Sequence, residues 1–413
     1  MNPLSSKIAS EASNISRRRF IAAAGVSAAT FAILPSGLGA EAPARNKINI
    51  GLIGCGTRGV WIADLFRKQG GYNFVAVADY FQDKADAGGE KLGVPAERRF
   101  TGLSAYQRLL EQKLDAVAII CPAYFHPIHA AAAVAAGKHV YLAKPIAVDV
   151  PGCLTVEASA RRATENKLCF LVDFQTRTHP DIQKIVNYVH QGGLGRIVSA
   201  EAGYQTGEVG KIADDGRRAN PKDPELRLRG WITDLALSGG IITEQDIHSI
   251  DLACWLLDDA PISAHGSGGK FRDFIGDNLD HVSVMYQFPK EILLTFSAKQ
   301  VGYGFEEIMC RVFGTDGTAD THYYSKCTLR SRDEVLIADP TDLYRTGAEA
   351  NIAAFYENIT TGNVANPTVP PSVRSTLATI LGRMAAYRKT NVTWEQMMRH
   401  PEHLEADLRG LKT

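Results

Sequence analysis

The chain has 413 residues, of which 45% are apolar and 8% aromatic, so it is long and apolar enough to form two domains with cores of their own. Lysine plus arginine equal aspartate plus glutamate at 45 each, and this balance gives no reason to expect nucleic acid or an anionic membrane as a partner. The seven cysteines are scattered without a C-x-x-C pair, which argues against a disulfide framework and against a metal cluster.

The N-terminal segment has the pattern of a twin-arginine export signal. Residues 16–21 read Ser-Arg-Arg-Arg-Phe-Ile, an alanine-rich apolar run follows at 21–34, and small residues lead up to Ala40. The run is short for a membrane span and lacks the polar face of an amphipathic first helix. We therefore predict that residues 1–40 are a signal peptide, that no stable membrane span remains after cleavage, and that the protein is periplasmic or otherwise exported.

The apolar run 48–53 leads directly into the G-x-G-x-x-G pattern of Gly54, Gly56 and Gly59, and a helical pattern follows. Gly54 permits the tight turn, Gly56 lets the backbone approach a pyrophosphate, and Gly59 lets the helix pack close to the strand. Amides at the start of the helix, from Thr57 and Arg58 onward, are placed to bind phosphate. The order of strand, glycine turn, helix and second strand predicts a dinucleotide site.

Asp79 ends the second apolar run, about twenty residues after the glycines. A carboxylate there accepts hydrogen bonds from the ribose hydroxyls and repels a 2′-phosphate, which favours NAD over NADP. Two alternatives stay open: Asp79 as a turn or helix-cap residue, and Arg58 as a partner for a 2′-phosphate. Export also predicts a tightly bound cofactor that is recycled in place, because free nicotinamide cofactor is scarce outside the cytoplasm.

Alternating strand and helix patterns continue to about residue 172 and predict a doubly wound parallel sheet covered by helices on both faces. The predicted strands are 48–53, 74–78, 116–120, 139–142 and 169–172, and the predicted helices are 60–68, 84–92, 106–112, 128–136 and 154–165. We assign residues 46–172 to an α/β NAD-binding Rossmann domain.

The pattern changes after Gly195 to strand-like runs without helices between them, which predicts a large, mainly antiparallel open sheet. The predicted strands are 197–204, 281–288, 292–299 and 307–314, with closing helices at 352–360 and 373–387. We assign residues 173–390 to an α+β domain for substrate binding and oligomerisation, and residues 391–413 to a tail that packs on the body. Residues 205–229 lack periodicity and are predicted to be a long surface loop.

Two groups of residues follow predicted strands of the parallel sheet, at the edge where ligands bind in open α/β sheets. Cys121 and Pro122 follow one strand, and His126 then begins a helix from which it is placed either to face the nicotinamide or to pack in the core. Lys144 follows another strand and is placed to orient the nicotinamide ribose and to transfer a proton from a substrate hydroxyl. A surface lysine is the alternative.

A second cluster begins after a glycine pair and contains Glu244, Asp246, His248 and Asp251. If the segment is helical, Glu244 and His248 lie one turn apart on one face, and a histidine beside a carboxylate is a candidate general base. This spacing could also bind a divalent metal, although further histidine ligands are missing. A third interpretation is a helix start that is rich in acidic residues. Trp231, upstream, is placed either to stack on a sugar ring or to lie in the core.

These motifs together resemble the Gfo/Idh/MocA family of glucose-fructose oxidoreductases, inositol dehydrogenases and related sugar dehydrogenases. The resemblance rests on residues 54–59, 115–122 with His126, 136–141, Arg177 with Pro180, Gly239-Gly240 with His248 and Asp251, and 314–319. It implies that Lys144 is the lysine of the family's Glu-Lys-Pro motif, that Arg177 lies on the substrate side, and that His248 is catalytic. Three positions depart from the pattern: Ala143 replaces glutamate, Glu244 replaces aspartate, and Asp246 replaces glycine.

Residues and resemblance together predict an exported, NAD-dependent oxidoreductase that takes hydride from a ring carbon of a small-molecule carbohydrate (a sugar, cyclitol or glycoside). Lys144 and His248 would relay the hydroxyl proton, Glu244 would orient His248, and Arg177, Trp231 and Asp246 would bind substrate. One rival is an NAD-dependent glycosidase that works by transient oxidation and elimination, and another is a non-catalytic sugar-binding protein. The resemblance also implies a homodimer or homotetramer formed through the open sheet.

Overall fold

The computed structural model describes residues 47–413, apart from the side chains of residues 212–214. The predicted signal peptide, residues 1–40, therefore lies outside the described residues. Among the residues described, no helix is both long enough and apolar enough to cross a bilayer.

The first sheet has six strands, all parallel, in the order β3-β2-β1-β4-β5-β6. The strands are β1 Ile48–Ile53, β2 Tyr72–Asp79, β3 Arg99–Thr101, β4 Ala116–Ile119, β5 His139–Ala143 and β6 Phe170–Asp173. The predicted parallel sheet is confirmed. Strand β3 was not predicted, because a three-residue edge strand is too short to show an alternating pattern.

Helices cover both faces of this sheet, because its strands are apolar on both sides. The helices are α1 Thr57–Gln69, α2 Gln82–Leu92, α3 Ala105–Leu110, α4 His126–Ala135 and α5 Val150–Glu165. Phe66 of α1 packs edge-on against Tyr141 of β5, with ring centroids 5.0 Å apart, on one face. Buried residues of α4 and α5 belong to the core of the opposite face.

A nine-stranded sheet forms the second domain, in the order β14-β13-β12-β11-β7-β10-β9-β8-β15. Its strands are β7 Ile197–Thr206, β8 Ser263–Gly269, β9 His281–Gln287, β10 Leu293–Gln300, β11 Glu307–Gly314, β12 Gly317–His322, β13 Cys327–Ser331, β14 Val335–Ala338 and β15 Asn391–Thr393. All neighbours are antiparallel except β7 and β10. Burial alternates along β9, so one face is packed and the other is open, which confirms the predicted open sheet.

Helices cover the packed face of this sheet and link it to the first domain. They are α6 Pro180–His190, α7 Lys211–Ala219, α8 Pro224–Arg229, α9 Leu235–Ser238, α10 Gly240–Glu244, α11 Ile247–Leu257, α12 Leu343–Thr361, α13 Val369–Arg388 and α14 Trp394–Arg399. Helix α13 is buried along most of its length. The tail after it pairs as β15 with β8, and Leu103 N–H donates to the Lys412 carbonyl at 2.9 Å.

The prediction of a surface loop at 205–229 was wrong, because α7 and α8 occupy most of this segment. Pro224 occupies the first turn of α8, and the Asp223 side chain caps the helix by accepting from the Glu225 and Leu226 amides. Such a helix start depends on capping chemistry and not on an apolar stripe. Hydrophobic periodicity therefore gave no signal for it.

Candidate active site

A cavity of about 440 Å³ lies at the carboxyl ends of β1, β2, β4 and β5. Both domains line it, since Leu228, Arg229, Trp231 and Glu244 complete its wall. The predicted site residues that line it are Gly54, Gly56, Thr57, Arg58, Gly59, Asp79, Cys121, Pro122, Lys144, Trp231 and Glu244. The other predicted site residues, His126, Arg177, Asp246 and His248, are not part of this wall.

The glycine turn has the shape that a pyrophosphate requires. Gly54 has a φ of +95°, and a Cβ there would lie 2.3 Å from the Ile120 carbonyl oxygen. A Cβ on Gly59 would lie 1.9 Å from the Gly54 carbonyl oxygen, so α1 packs directly on the turn. Nothing lies within 4 Å of the corresponding position on Gly56, and no side chain caps α1. The first amides of α1 are thus placed to hold phosphate oxygens.

Asp79 lies at the end of β2 and lines the cavity where the ribose of a dinucleotide would lie. Its carboxylate accepts hydrogen bonds from the amides of Cys55 at 2.7 Å and Phe81 at 2.9 Å. Burial raises the pKa of Asp79 despite these bonds. Arg58, the alternative partner for a 2′-phosphate, instead donates to the buried Asp173 carboxylate at 3.0 Å. The residues present therefore fit NAD.

His126 packs behind the cavity wall, which agrees with the alternative that it lies in the core and does not face the nicotinamide. Its ring nitrogens lie 2.7 Å from the Pro145 carbonyl oxygen and 2.9 Å from that of Cys121. Burial lowers the pKa of His126 to about 4, and the neutral ring donates to one of these two carbonyl oxygens. His129, one turn further along α4, lines the cavity in its place, and the sequence analysis missed it.

Lys144 and Glu244 form a buried pair across the two domains, with side chains 8% and 14% exposed. The Lys144 ammonium donates to the Glu244 carbonyl oxygen at 2.6 Å and lies 3.5 Å from its Oε1. Burial lowers the pKa of Lys144 and raises the pKa of Glu244, while each charge partly offsets the shift of the other. Both shifts favour the neutral forms, which makes this pair the candidate for proton transfer in the cavity wall.

The expected arrangement of Glu244 beside His248 on one helix was wrong. The helix is interrupted between α10, which ends at Glu244, and α11, which begins at Ile247, and Gln245 between them has a φ of −112°. Glu244 then points to Lys144, whereas the His248 Nδ1 lies 3.0 Å from the Tyr323 hydroxyl. Glu244 therefore does not orient His248, and Tyr323 holds the ring instead.

Three tyrosines surround His248, and the sequence analysis identified none of them. The ring centroids of Tyr204, Tyr323 and Tyr344 lie 6.4, 5.4 and 5.5 Å from that of His248. Burial lowers the pKa of His248 well below its usual value, with the nearby Lys144 charge acting in the same direction. Because Nδ1 is bound by Tyr323, Nε2 is the nitrogen left for a ligand.

Asp246, two residues before His248, is fully buried. Neither of its carboxylate oxygens has a hydrogen-bond partner among the described residues. Desolvation raises its pKa well above the usual value. A neutral carboxyl group at this position costs far less than a buried unpaired charge.

Arg177 was predicted to contact substrate, and the structure gives it a different environment. Its guanidinium donates to both carboxylate oxygens of the fully buried Asp251, at 2.7 and 3.0 Å, and lies 5.0 Å from the Trp255 ring centroid. Ser375 donates to the same carboxylate at 2.6 Å. These contacts join three helical segments, so Arg177 and Asp251 form a structural pair away from the cavity wall.

A dinucleotide-binding domain whose cavity is closed by a sheet domain is the architecture expected of a nicotinamide-dependent oxidoreductase. Residues 48–174 match the family description "Oxidoreductase family, NAD-binding Rossmann fold", and residues 182–320 match "GFO/IDH/MocA C-terminal domain". The two matches together cover well over half of the chain, which belongs to the GFO/IDH/MocA family of NAD-binding oxidoreductases.

Among curated proteins, a glycosyl hydrolase family 109 protein of Shewanella sp. (strain W3-18-1) is 29% identical over 214 residues, or 46% of each chain. The similarity thus spans about half the length of such relatives. An inositol 2-dehydrogenase of Rhizobium meliloti is 26% identical over 65% of this chain and 74% of its own. A levoglucosan dehydrogenase complexed with NADH and levoglucosan has the same fold, with a TM-score of 0.67 and 18% identity over 85% of this chain and all of its own.

Proposed function

We propose that this protein oxidises a ring hydroxyl of a sugar, cyclitol or glycoside to a ketone, with NAD as hydride acceptor. The observation that carries the proposal is one continuous cavity, which fits NAD along the glycine turn and carries Lys144, Glu244 and Trp231 on its remaining wall. Two similar proteins, an inositol 2-dehydrogenase and a levoglucosan dehydrogenase, support carbohydrate as the substrate class.

NAD, when bound, supplies a two-electron acceptor for the hydride that leaves the substrate carbon. Lys144 would accept the hydroxyl proton, since burial favours its neutral amine. Glu244, 3.5 Å away, would take up or return that proton. His248 would hold or relay a proton through Nε2, and Tyr323 would fix its ring. Trp231 is half-buried in the cavity wall, where its ring is available to a sugar face.

A redox-neutral glycosidase is the second candidate, and the family 109 relatives favour it. Oxidation next to the reacting centre would acidify a neighbouring C–H bond. Loss of that proton and of the aglycone, addition of water and return of the hydride would then cleave the glycoside with no net redox change. The same Lys144–Glu244 pair would serve the proton transfers.

Mass spectrometry of products separates the two candidates. The purified protein and NAD would be incubated with a panel of free sugars, cyclitols and glycosides. The oxidoreductase predicts loss of two hydrogens with any glycosidic bond intact. Release of a free sugar without net redox change would favour the glycosidase, and no product from the whole panel would contradict both.

We also propose export by the twin-arginine route and a cofactor that is loaded before export, supported by the residue pattern at 16–40. Cell fractionation of the protein with Arg17→Lys and Arg18→Lys together tests this. Retention of the double variant in the cytoplasm, with the wild-type protein outside it, is expected. Equal distribution of both would contradict export by this route.

A further inference from the structure

The cavity is closed on one side by a segment of the second domain, and the C-terminal tail packs against that segment. We call these two pieces, residues 224–231 and 404–413, the strap. Leu228, Arg229 and Trp231 of the strap line the same cavity as Asp79 and Lys84 of the Rossmann domain. Since the acid at the end of the second strand marks the adenosine ribose, Leu228 and Arg229 of the strap lie over the adenosine half of the cofactor site.

The strap is fastened to the Rossmann domain by polar bonds. Arg229 donates twice to the Asp83 carboxylate, at 2.7 and 3.0 Å, and its guanidinium carbon lies 3.9 Å from the Phe81 ring centroid. Asp83 and Phe81 lie at the start of α2, immediately after Asp79. Arg229 thus joins the second domain to the segment that would hold the ribose.

The tail adds a second fastening at the same place. Tyr80 donates to Glu225 of α8 at 3.0 Å, and the Lys412 ammonium lies 3.1 Å from the same carboxylate. The Lys412 amide donates to the Tyr80 hydroxyl at 3.0 Å, and its carbonyl accepts from Leu103 at 2.9 Å. Because Tyr80 directly follows Asp79, the tail and α8 meet over the ribose end of the cavity.

The two pieces of the strap are also bound to each other. Arg227 donates to the Asp407 carbonyl at 3.2 Å and to the Asp234 carboxylate at 2.5 Å. The tail and α8 are therefore in direct contact with each other.

We propose that the strap retains the cofactor: NAD leaves only when residues 224–231 and 404–413 lift from the Rossmann domain, and the Arg229–Asp83 and Tyr80–Glu225–Lys412 contacts set the rate of that opening. The inference deepens the proposed function, in which the cofactor is held and recycled in place. Arg229 and Asp83 are both partly exposed, so the contribution of their pair is modest and falls with added salt.

The test measures NADH release and involves no carbohydrate, so it stands apart from any failure of the proposed function. Protein loaded with NADH would be mixed with excess NAD, and the release rate would be read from the decay of protein-bound NADH fluorescence. Arg229→Met and Asp83→Asn are each expected to speed release about fivefold, with the double variant no faster than either. Added salt is expected to speed release from the wild-type protein and to have little effect on the variants.

Arg332→Met is the matched control, because Arg332 pairs with the exposed Asp316 carboxylate at 3.0 Å away from the cavity. Tyr80→Phe in the full-length chain removes the hydroxyl that bonds to Glu225 and to the Lys412 amide, and it is expected to release NADH faster than the wild-type protein. Release rates equal to that of the wild-type protein in Arg229→Met and Asp83→Asn would overturn the proposal. Equal acceleration by Arg332→Met would overturn it as well.

Discussion

Two buried pairs of a cation and a carboxylate lie within the predicted motifs, and they differ in every physical respect. Lys144 and Glu244 contact each other through one side-chain approach of 3.5 Å and line the cavity. Arg177 and Asp251 make a two-pronged contact at 2.7 and 3.0 Å, lie away from the cavity, and receive a further bond from Ser375. The guanidinium fork matches a carboxylate with two bonds, whereas burial lowers the pKa of the Lys144 ammonium and favours its neutral form.

The sequence motifs contain both pairs without distinguishing them. The structure assigns the Lys144–Glu244 pair to the cavity wall and the Arg177–Asp251 pair to the packing of helices. The loose pair crosses between the domains in the wall of the cavity, where the proposed reaction needs a proton to move. The tight pair joins α11 to α13 and to the segment that carries Arg177. Variants at each pair, taken from the largest expected effect to the smallest, test this division.

Replacing Lys144 with Met removes the group that would accept the hydroxyl proton. We expect turnover to fall by about 10²- to 10⁴-fold, the usual contribution of general acid–base catalysis. Binding of NADH, followed by fluorescence, is expected to persist. Lys184→Met is the control, because Lys184 lies exposed on α6, where it pairs with Asp181. Full turnover by Lys144→Met would remove the lysine from the mechanism.

Asp251→Asn leaves Arg177 buried without a counter-charge. We expect the free energy of unfolding, measured in urea, to fall by about 3–5 kcal/mol, the cost of breaking a buried pair on one side. Turnover per folded molecule is expected to stay near that of the wild-type protein. Asp316→Asn, in an exposed pair, should cost less than about 1 kcal/mol. If Asp251→Asn lost turnover while its free energy of unfolding stayed unchanged, Arg177 and Asp251 would have to act in catalysis.

Tyr323→Phe removes the hydroxyl that holds the His248 ring. Loss of one neutral hydrogen bond predicts a decrease in kcat of about 2- to 10-fold, with KM changed less. Tyr188→Phe is the matched control, because Tyr188 bonds to Ser331 at 2.6 Å away from the cavity. A loss in kcat as large as that from Lys144→Met would make the histidine, and not the lysine, the main proton acceptor.

The pH dependence of activity tests whether Lys144 is the proton acceptor and whether the Glu244 charge sets its pKa. Activity should rise with pH as the neutral amine of Lys144 forms, with a midpoint below the ordinary lysine value because burial lowers its pKa. The Glu244 charge opposes that shift, so Glu244→Gln should lower the pKa of Lys144 further and move the rising limb to lower pH. The pH profile of kcat/KM for both proteins measures this. Movement of the limb to higher pH would contradict the assignment.

Local backbone requirements explain why the cofactor half of the site was predictable. Gly54 and Gly59 are needed because a Cβ at either would meet main-chain atoms, and Asp79 ends the strand that follows the glycine turn and α1. Such constraints act over a few residues and leave a pattern in the sequence. The same holds for both sheets, whose strands carry continuous or alternating apolar runs.

The substrate half was less predictable, because its contacts join residues that are far apart in the chain. His248 is enclosed by tyrosines from β7, from the segment after β12 and from α12, and no local pattern pairs them. Helix α10 ends at Glu244, and the Glu244 side chain contacts Lys144 and not His248. The spacing of residues on a continuous helix does not predict this contact. The strap was missed for the same reason, since Arg229 meets Asp83 across 146 positions.

The most direct test of the account follows one hydrogen atom. A carbohydrate that the protein converts in the product panel would be supplied with deuterium on its ring carbons. After a single turnover, the nicotinamide cofactor would be extracted from the protein and its mass measured by mass spectrometry. The account predicts deuterium on the nicotinamide from wild-type protein and its near absence from Lys144→Met. A nicotinamide without deuterium, from wild-type protein that has converted the sugar, would contradict hydride transfer at this site.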